Sequence, residues 1–390
     1  SRNDQDAAAE RVAQRDLLLK LSDALGEVLA KTIDQAERHA DTLMPGYTHF
    51  QHAQPWTFGH WLMRQASILG RDMDRLAGAY TRTNLSALGG AANAGTSWPL
   101  DRRRCAELLG HDGLVYNSSD AGEFIRDYIE ENTAVVAMMT ANLGHYGTDL
   151  YVWSSWEFGF VEVADGLAGT SSIMPQKKNP HALERVKAVG GQAIGWLATI
   201  MGQQRSVLST DLDYAFGDDQ FGEYARASYA SLRLMDEVIR TLTVNKERMA
   251  STAGIFWSTT SHLADELVRK HDMPFRVAHQ IVGRFVRDAV NAGQKPAEVS
   301  ASFINQAAKD IAGLTFTMTD KELRDMLDAR LFVETRVTEG SVSPAAVRKH
   351  VALARDELKA RRALVADRAR AARTATDALL KTARTMAAGA

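Results

Sequence analysis

Few strings in this 390-residue chain alternate apolar and polar positions with period two, so strands are not expected to dominate. Ala, Leu, Arg, Glu and Met are abundant, and these are good helix formers. There are 8 prolines, and none lies between His181 and Met273. Five long helical stretches are expected: about Asp4 to Leu43, from Pro55 to about Thr83, about Asp120 to Ser154, from near Asn179 past Gly202, and about Gly222 to Thr252. In the last, Leu232, Met235, Ile239, Leu242 and Met249 share one face at three- and four-residue steps, with Lys246 interrupting the stripe. The fold class expected is all-α, an elongated bundle of long helices packed lengthwise. A composition shift near Ser251–Thr260 divides it into a central bundle over 1–252 and a small C-terminal helical domain over 253–345. An Ala-, Arg- and Leu-rich extension over 346–390 reads as one or two solvated helices.

Between the helices lie three segments expected to be irregular: Met44–Gln54, Leu88–Asp101 and Phe158–Pro180. Loops held by a rigid scaffold are where function concentrates. In the second, Gly89, Gly90 and Gly95 suit tight backbone packing better than substrate contact.

Composition narrows the function classes. The chain is 45% hydrophobic and 24% charged, with net charge −2, so neither nucleic acid nor an anionic membrane is expected as a partner. Cys105 is the single cysteine, which excludes an intramolecular disulfide and a thiolate metal cluster and suits a reducing cytoplasm. No apolar run is long enough to span a bilayer, and the first residues lack the apolar core of a signal peptide.

The chemistry concentrates in Gly166–Asn179 (GLAGTSSIMPQKKN). Gly169, Thr170, Ser171 and Ser172 make a flexible, hydroxyl-rich loop, Pro175 stiffens it, and Lys177 and Lys178 add positive charge. Asn179 followed by Pro180 reads as a helix start, and a helix N-terminus beside lysines can hold an anion. As composition alone, this is a lysine-bearing surface loop with an ordinary cap.

The order of residues says more. Thr170–Pro180 (TSSIMPQKKNP) resembles the signature of the aspartase/fumarase superfamily, usually G-S-S-x-M-P-x-K-x-N, and MPQKKNP is similar to its argininosuccinate lyase branch. Met44–Pro55 (MPGYTHFQHAQP) resembles that family's threonine–histidine segment, and Ser1–Gln5 (SRNDQ) the end of its G-R-S-R-N-D-Q motif. Asn117–Ala121 with Arg126 and Asp127, and Leu267–His279, resemble later regions in the right order. The resemblance runs from about Ser1 to Ala345.

It implies a carbon–nitrogen lyase. A proton leaves the carbon beside a carboxylate, the amine leaves the neighbouring carbon, and fumarate forms. The intermediate carries extra negative charge on the carboxylate, so stabilising that charge is the main catalytic demand. The resemblance makes Ser171 the base, with Lys177 and loop amides supporting its oxyanion. It makes His49, oriented by Glu184, the residue that assists protonation of the leaving nitrogen, directly or through another donor. Arg2, Asn3, Thr48 and Asn179 are implied in carboxylate binding. Ser1, Gln51, Ser172 and Met174 complete the expected substrate contacts. Taken alone, His49 reads as a structural histidine, Arg2 and Asn3 as an exposed chain end, and Arg126–Asp127 equally as a surface pair or as structure near the site. No spacing suggests a metal, and the chemistry needs no cofactor. The resemblance also implies a homotetramer with a core of long helices and sites assembled from three subunits, so the site segments need not meet within one chain.

Two features depart from argininosuccinate lyase. The sequence begins inside a motif, whereas the family carries about a hundred residues before it, so part of the pocket is expected outside this sequence. And where the family reads approximately Y-N-K-D-L-Q-E-D-K, this chain has Leu208–Phe216 (LSTDLDYAF), with Leu208 for the tyrosine, Asp213 for the glutamine and Phe216 for the last lysine. Losing that hydrogen-bonding set disfavours the arginine portion, whereas Asp213 suits an amine without its carboxylate. The alternative is a shift of register in an irregular stretch. The expected substrate is therefore an aminopolycarboxylate such as ethylenediamine-N,N'-disuccinate, as in ethylenediamine-disuccinate lyase. Argininosuccinate is the alternative. A structural, crystallin-like relative is the alternative of another class, against which the intact set of Ser171, Lys177, Asn179, His49 and Glu184 argues.

Overall fold

The computed structural model of the protein describes residues 2–122, 126–203 and 217–389. Its elements, in order, are α1 (Arg2–Arg38), β1 (Leu43–Thr48), β2 (Gln51–Thr57), α2 (Phe58–Thr83), β3 (Leu85–Ser86), α3 (Arg102–Leu109), β4 (Gly113–Leu114), α4 (Asp127–Trp153), β5 (Val161–Glu162), β6 (Gly169–Thr170), β7 (Lys178–Asn179), α5 (His181–Ala193), α6 (Trp196–Gln203), α7 (Gly217–Thr241), β8 (Thr243–Val244) and α8 (Lys246–Thr252). There follow α9 (Thr260–His271), α10 (Phe275–Asn291), α11 (Ser302–Ala312), α12 (Asp320–Leu327), α13 (Ala329–Glu334) and α14 (Pro344–Ala388). The protein is a helical bundle, and its strands among the described residues form only two-stranded pairs. No helix among them is long and apolar enough to cross a membrane.

The bundle follows from apolar residues at helical spacing. On α1, Leu18, Leu21, Leu25, Val28, Ile33 and Ala36 are buried and form one wall of the main core. Trp61, Leu62, Leu69, Met73 and Leu76 of α2 meet it, with α4, α5 and α7 closing the core. Each of these large side chains contributes about 1.5–3 kcal/mol by leaving water. Helix α4 approaches α5 closely because glycines face each other. A Cβ on Gly190 would lie 2.8 Å from the Gly144 Cα. A second core, built by α9 to α12, centres on Leu263, Ile281, Phe285, Ile304 and Leu323.

A buried polar network crosses the main core. Arg126 lies 3.1 Å from Glu10, Tyr128 donates to the same carboxylate at 2.7 Å, and Gln14 and Asn132 extend the chain of hydrogen bonds. Arg126 is buried, so it is a structural tie from α1 to the start of α4 and no surface pair.

Several sequence-based expectations change. Met44–Gln54 belongs to an antiparallel hairpin, β1–β2, with a bulge between Met44 and Gly46 that accommodates Pro45. Gly46 is required there, since a Cβ would lie 2.2 Å from the Gln54 carbonyl oxygen. The helix expected over Gly222–Thr252 breaks after Thr241. Residues 243–244 pair with β5, and Asn245 caps α8 by accepting the Arg248 amide at 3.0 Å. The helix expected past Gly202 breaks between α5 and α6. The tail is one helix of 45 residues whose Val347, Val351 and Leu358 join the main core. Its arginines pair with acids of α1 and α2, as in Arg361–Asp74 at 2.8 Å and Arg362–Glu27 at 2.5 Å.

Candidate active site

The residues with the sharpest chemistry lie on a loop with a short stem. β6 and β7 pair antiparallel, Gly169 opposite Asn179 and Thr170 opposite Lys178, and residues 171–177 form the loop between them. Thr170, where the signature usually has glycine, is thus a strand residue, and its β-branch suits that place. Inside the loop the Ser171 Oγ accepts the amides of Met174, at 3.0 Å, and Ile173, at 3.3 Å. Two donors on one hydroxyl oxygen favour its anionic form. Lys177 closes the turn through its amide, which donates to the Met174 carbonyl at 3.0 Å. Its side chain is exposed, as are Ser172 and Met174. Ile173 is 86% exposed, so the loop offers its chemistry outward.

The two lysines differ. Lys178 Nζ lies 2.7 Å from Glu162 and 2.6 Å from Asp165, and those hydrogen bonds raise its pKa. Reading Lys177 and Lys178 alike as free positive charge was too simple. Asn179 is also not a helix cap: it sits in β7, and Pro180 occupies the position before α5.

Glu184, on the first turn of α5, accepts from the Tyr151 hydroxyl at 3.4 Å. Its neighbouring imidazole is His181, 4.0 Å away, whose ring lies against the backbone of Gly169. Lys187 Nζ lies over the Tyr151 ring, 4.6 Å from its centroid.

Thr48, His49 and Gln51 lie at the exposed tip of the hairpin. His49 and Phe50 form the turn with φ of 52° and 61°, the left-handed region that non-glycine residues seldom adopt. Aromatic contacts hold the tip: Tyr47 and Phe50 each lie 5.7 Å from Phe158, and Tyr47 lies 4.9 Å from His52. Burial raises the Tyr47 pKa to about 12, keeping that hydroxyl protonated. Among the described residues no hydrogen bond or ion pair joins Thr48 or His49 to Ser171, Lys177, Asn179 or Glu184.

Arg2 and Asn3 open α1, Arg2 exposed and Asn3 half-buried. Sequence reasoning passed over their neighbour. Asp4 is buried and accepts the amides of Gly89, at 2.9 Å, and Ala91, at 3.3 Å, tying α1 to the glycine-rich segment. Gly89 has φ +83°, and a Cβ there would meet Arg102 at 2.6 Å. Ser1, Asp213 and the rest of Leu208–Phe216 lie outside the described residues. His181 and Tyr151 were also missed, as were the carboxylate partners of Lys178. An acid–lysine pattern over Glu162, Asp165 and Lys178 was visible, but their proximity depends on how the chain folds back.

The chain is similar to known proteins in sequence and fold. A lyase family model matches residues 1–195, and an argininosuccinate lyase C-terminal family model matches residues 257–334. Argininosuccinate lyase of Methanococcoides burtonii is 37% identical over 362 residues, 92% of this chain and 72% of that protein. Among solved structures, EDDS lyase in complex with formate superposes with a TM-score of 0.91 and 34% identity over 99% of this chain and 77% of that one. An EDDS lyase variant with bound fumarate gives 0.90 at the same identity and coverage.

Proposed function

The chain belongs to the argininosuccinate lyase branch of the aspartase/fumarase superfamily and is a carbon–nitrogen lyase that releases fumarate, and from that premise we propose that its substrate is an aminopolycarboxylate, an N-substituted aspartate of the ethylenediamine-N,N'-disuccinate kind. The observation that carries this reading is Leu208–Phe216, which has Leu208, Asp213 and Phe216 in place of the tyrosine, glutamine and final lysine expected for the amino-acid end of arginine. The likeness to EDDS lyase supports it. Argininosuccinate is the second reading, supported by relatives of that name at 36–38% identity. Following fumarate absorbance with both substrates decides between them. The aminopolycarboxylate should turn over faster, and faster turnover of argininosuccinate would overturn the choice.

Ser171 takes the proton from the carbon beside the carboxylate. The electron pair forms the double bond as the C–N bond breaks, and the nitrogen leaves with a proton supplied through His49. The amides of Ile173 and Met174 on Oγ support a serine anion, and the exposed ammonium of Lys177 adds charge of the required sign. Asn179 and Thr48, with Arg2 and Asn3, hold the succinyl carboxylates. Gln51, Ser172 and Met174 line the same space, and Glu184 orients a histidine.

The working form is a homotetramer with each site drawn from three subunits. That no hydrogen bond or ion pair among the described residues joins the hairpin tip to the serine loop supports this. So does the outer face of α5 and α6, where Ala188, Gly191, Gly195, Ala198 and Gly202 recur at three- and four-residue steps beside exposed Ile194 and Met201. Small residues at that spacing let another helix approach closely.

A further inference from the structure

We propose that Lys178 is a positioning residue for the serine loop, holding its stem to the bundle while Lys177 remains free to face substrate. The inference rests on the reading of Ser171 as the base. The stem is only two residue pairs, and a ladder that short does not hold itself in water. Something outside it must fix where Oγ sits.

Lys178 supplies that hold. Its ammonium bridges Glu162, on β5, and Asp165, on the short turn that follows. β5 is itself anchored: Val161 pairs with Val244, Glu162 pairs with Thr243, and Phe160, Val161 and Val163 are buried in the main core. A cation between two carboxylates contributes more order than a single exposed pair, which is usually worth little. The partner strand is held too, because the His181 ring lies against Gly169, and a Cβ there would fall 2.0 Å from the ring. Both strands of the stem are therefore fastened to α5 or β5, and the loop between them carries the reacting oxygen.

The bridge also divides labour within the lysine pair. Two carboxylates more than neutralise Lys178, so it adds no net attraction for a substrate carboxylate. Lys177 has no ion pair among the described residues and keeps its charge for the site.

In the full-length enzyme, Lys178→Met should lower kcat by about 10–100-fold, the scale of a misplaced reacting group, with KM and the Kd for fumarate little changed. Lys178→Arg should recover most of the loss. The double variant Glu162→Gln with Asp165→Asn should reproduce the defect without touching the signature. Amide hydrogen exchange should be faster over residues 169–179 in Lys178→Met and in the double variant, while the oligomer's mass is unchanged. A raised KM with unchanged kcat would instead make Lys178 a substrate ligand. Wild-type kcat and exchange in the double variant would equally overturn the proposal. Should Ser171→Ala retain turnover, the base reading fails, yet exchange over 169–179 still reports whether Lys178 fastens the stem.

Discussion

At Ser171 the chain sets a hydroxyl oxygen under two backbone amides, of Ile173 and Met174. Donors on the oxygen make the hydroxyl a stronger acid, so the anion that proton abstraction requires is easier to reach. Ser171→Ala removes the oxygen and leaves the ladder of Gly169 and Thr170 with Lys178 and Asn179 intact. Turnover should fall by at least about 10²–10⁴-fold, the usual worth of a positioned base, with the thermal melt unchanged. Retained turnover in a folded variant would remove Ser171 from the role. The string around Ser171 and Lys177 was recognisable in the sequence because its residues run consecutively, and that string is what makes both of them candidates. Lys178 was legible only as charge, because its partners lie 16 and 13 residues earlier and depend on the fold. His181 was invisible as a neighbour of Glu184, since three-residue spacing on a helix is common and carries no specific chemistry.

Helices were the most legible elements, and their interruptions the least. The stripe through Leu232, Met235 and Ile239 is real and buried, but Met249 reaches the same core from a separate helix. Asn245 offered the clue, as a residue able to start a helix where Lys246 broke the stripe. The hairpin was missed because Met44–Gln54, with Pro45 and Gly46, read as irregular and Pro55 as a helix start, whereas a bulge absorbs Pro45 and Gly46 and Pro55 lies in β2. One junction between elements predicts a pH dependence. His39, at the end of α1, has its carbonyl bound by the Gly59 amide at 2.9 Å and its Nδ1 3.0 Å from the Thr42 hydroxyl. Burial, with Lys246 adding to it, pushes its pKa down to about 4 from an ordinary 6.5. The unfolded chain therefore takes up a proton that the folded chain refuses as pH falls below 6.5, and stability declines until about pH 4. Replacing His39 with Gln should shrink the drop in melting temperature between pH 7 and pH 4.5. An equal drop in both proteins would show that His39 protonates in place.

For the whole molecule, the bundle class was readable because composition and spacing agree over long stretches, while the way its faces are used depends on what meets them. The serine loop and the hairpin tip both point their chemistry outward: Ile173 is 86% exposed and Phe50 69%. A site that expels water cannot be completed by groups that face solvent separately. Apolar residues are also exposed at and after the junction of α5 and α6, with Ile194 at 77% and Met201 at 53%. A tetramer joins both observations, since neighbours that cover the outer face of α5 and α6 can also bring one chain's His49 to another chain's Ser171. Light scattering should give four chain masses, and a mass of one chain would refute the arrangement. Gly191→Glu, which places a charge on that face where a Cβ meets nothing within 4 Å of its own chain, should dissociate the assembly and abolish turnover without unfolding the protomer. Mixing tests the sharing of sites directly. Ser171→Ala and His49→Ala proteins, each inactive alone, should regain part of the activity after subunit exchange, because some sites then receive both intact residues. Mixtures that exchange subunits and stay inactive would place both residues in one chain's site.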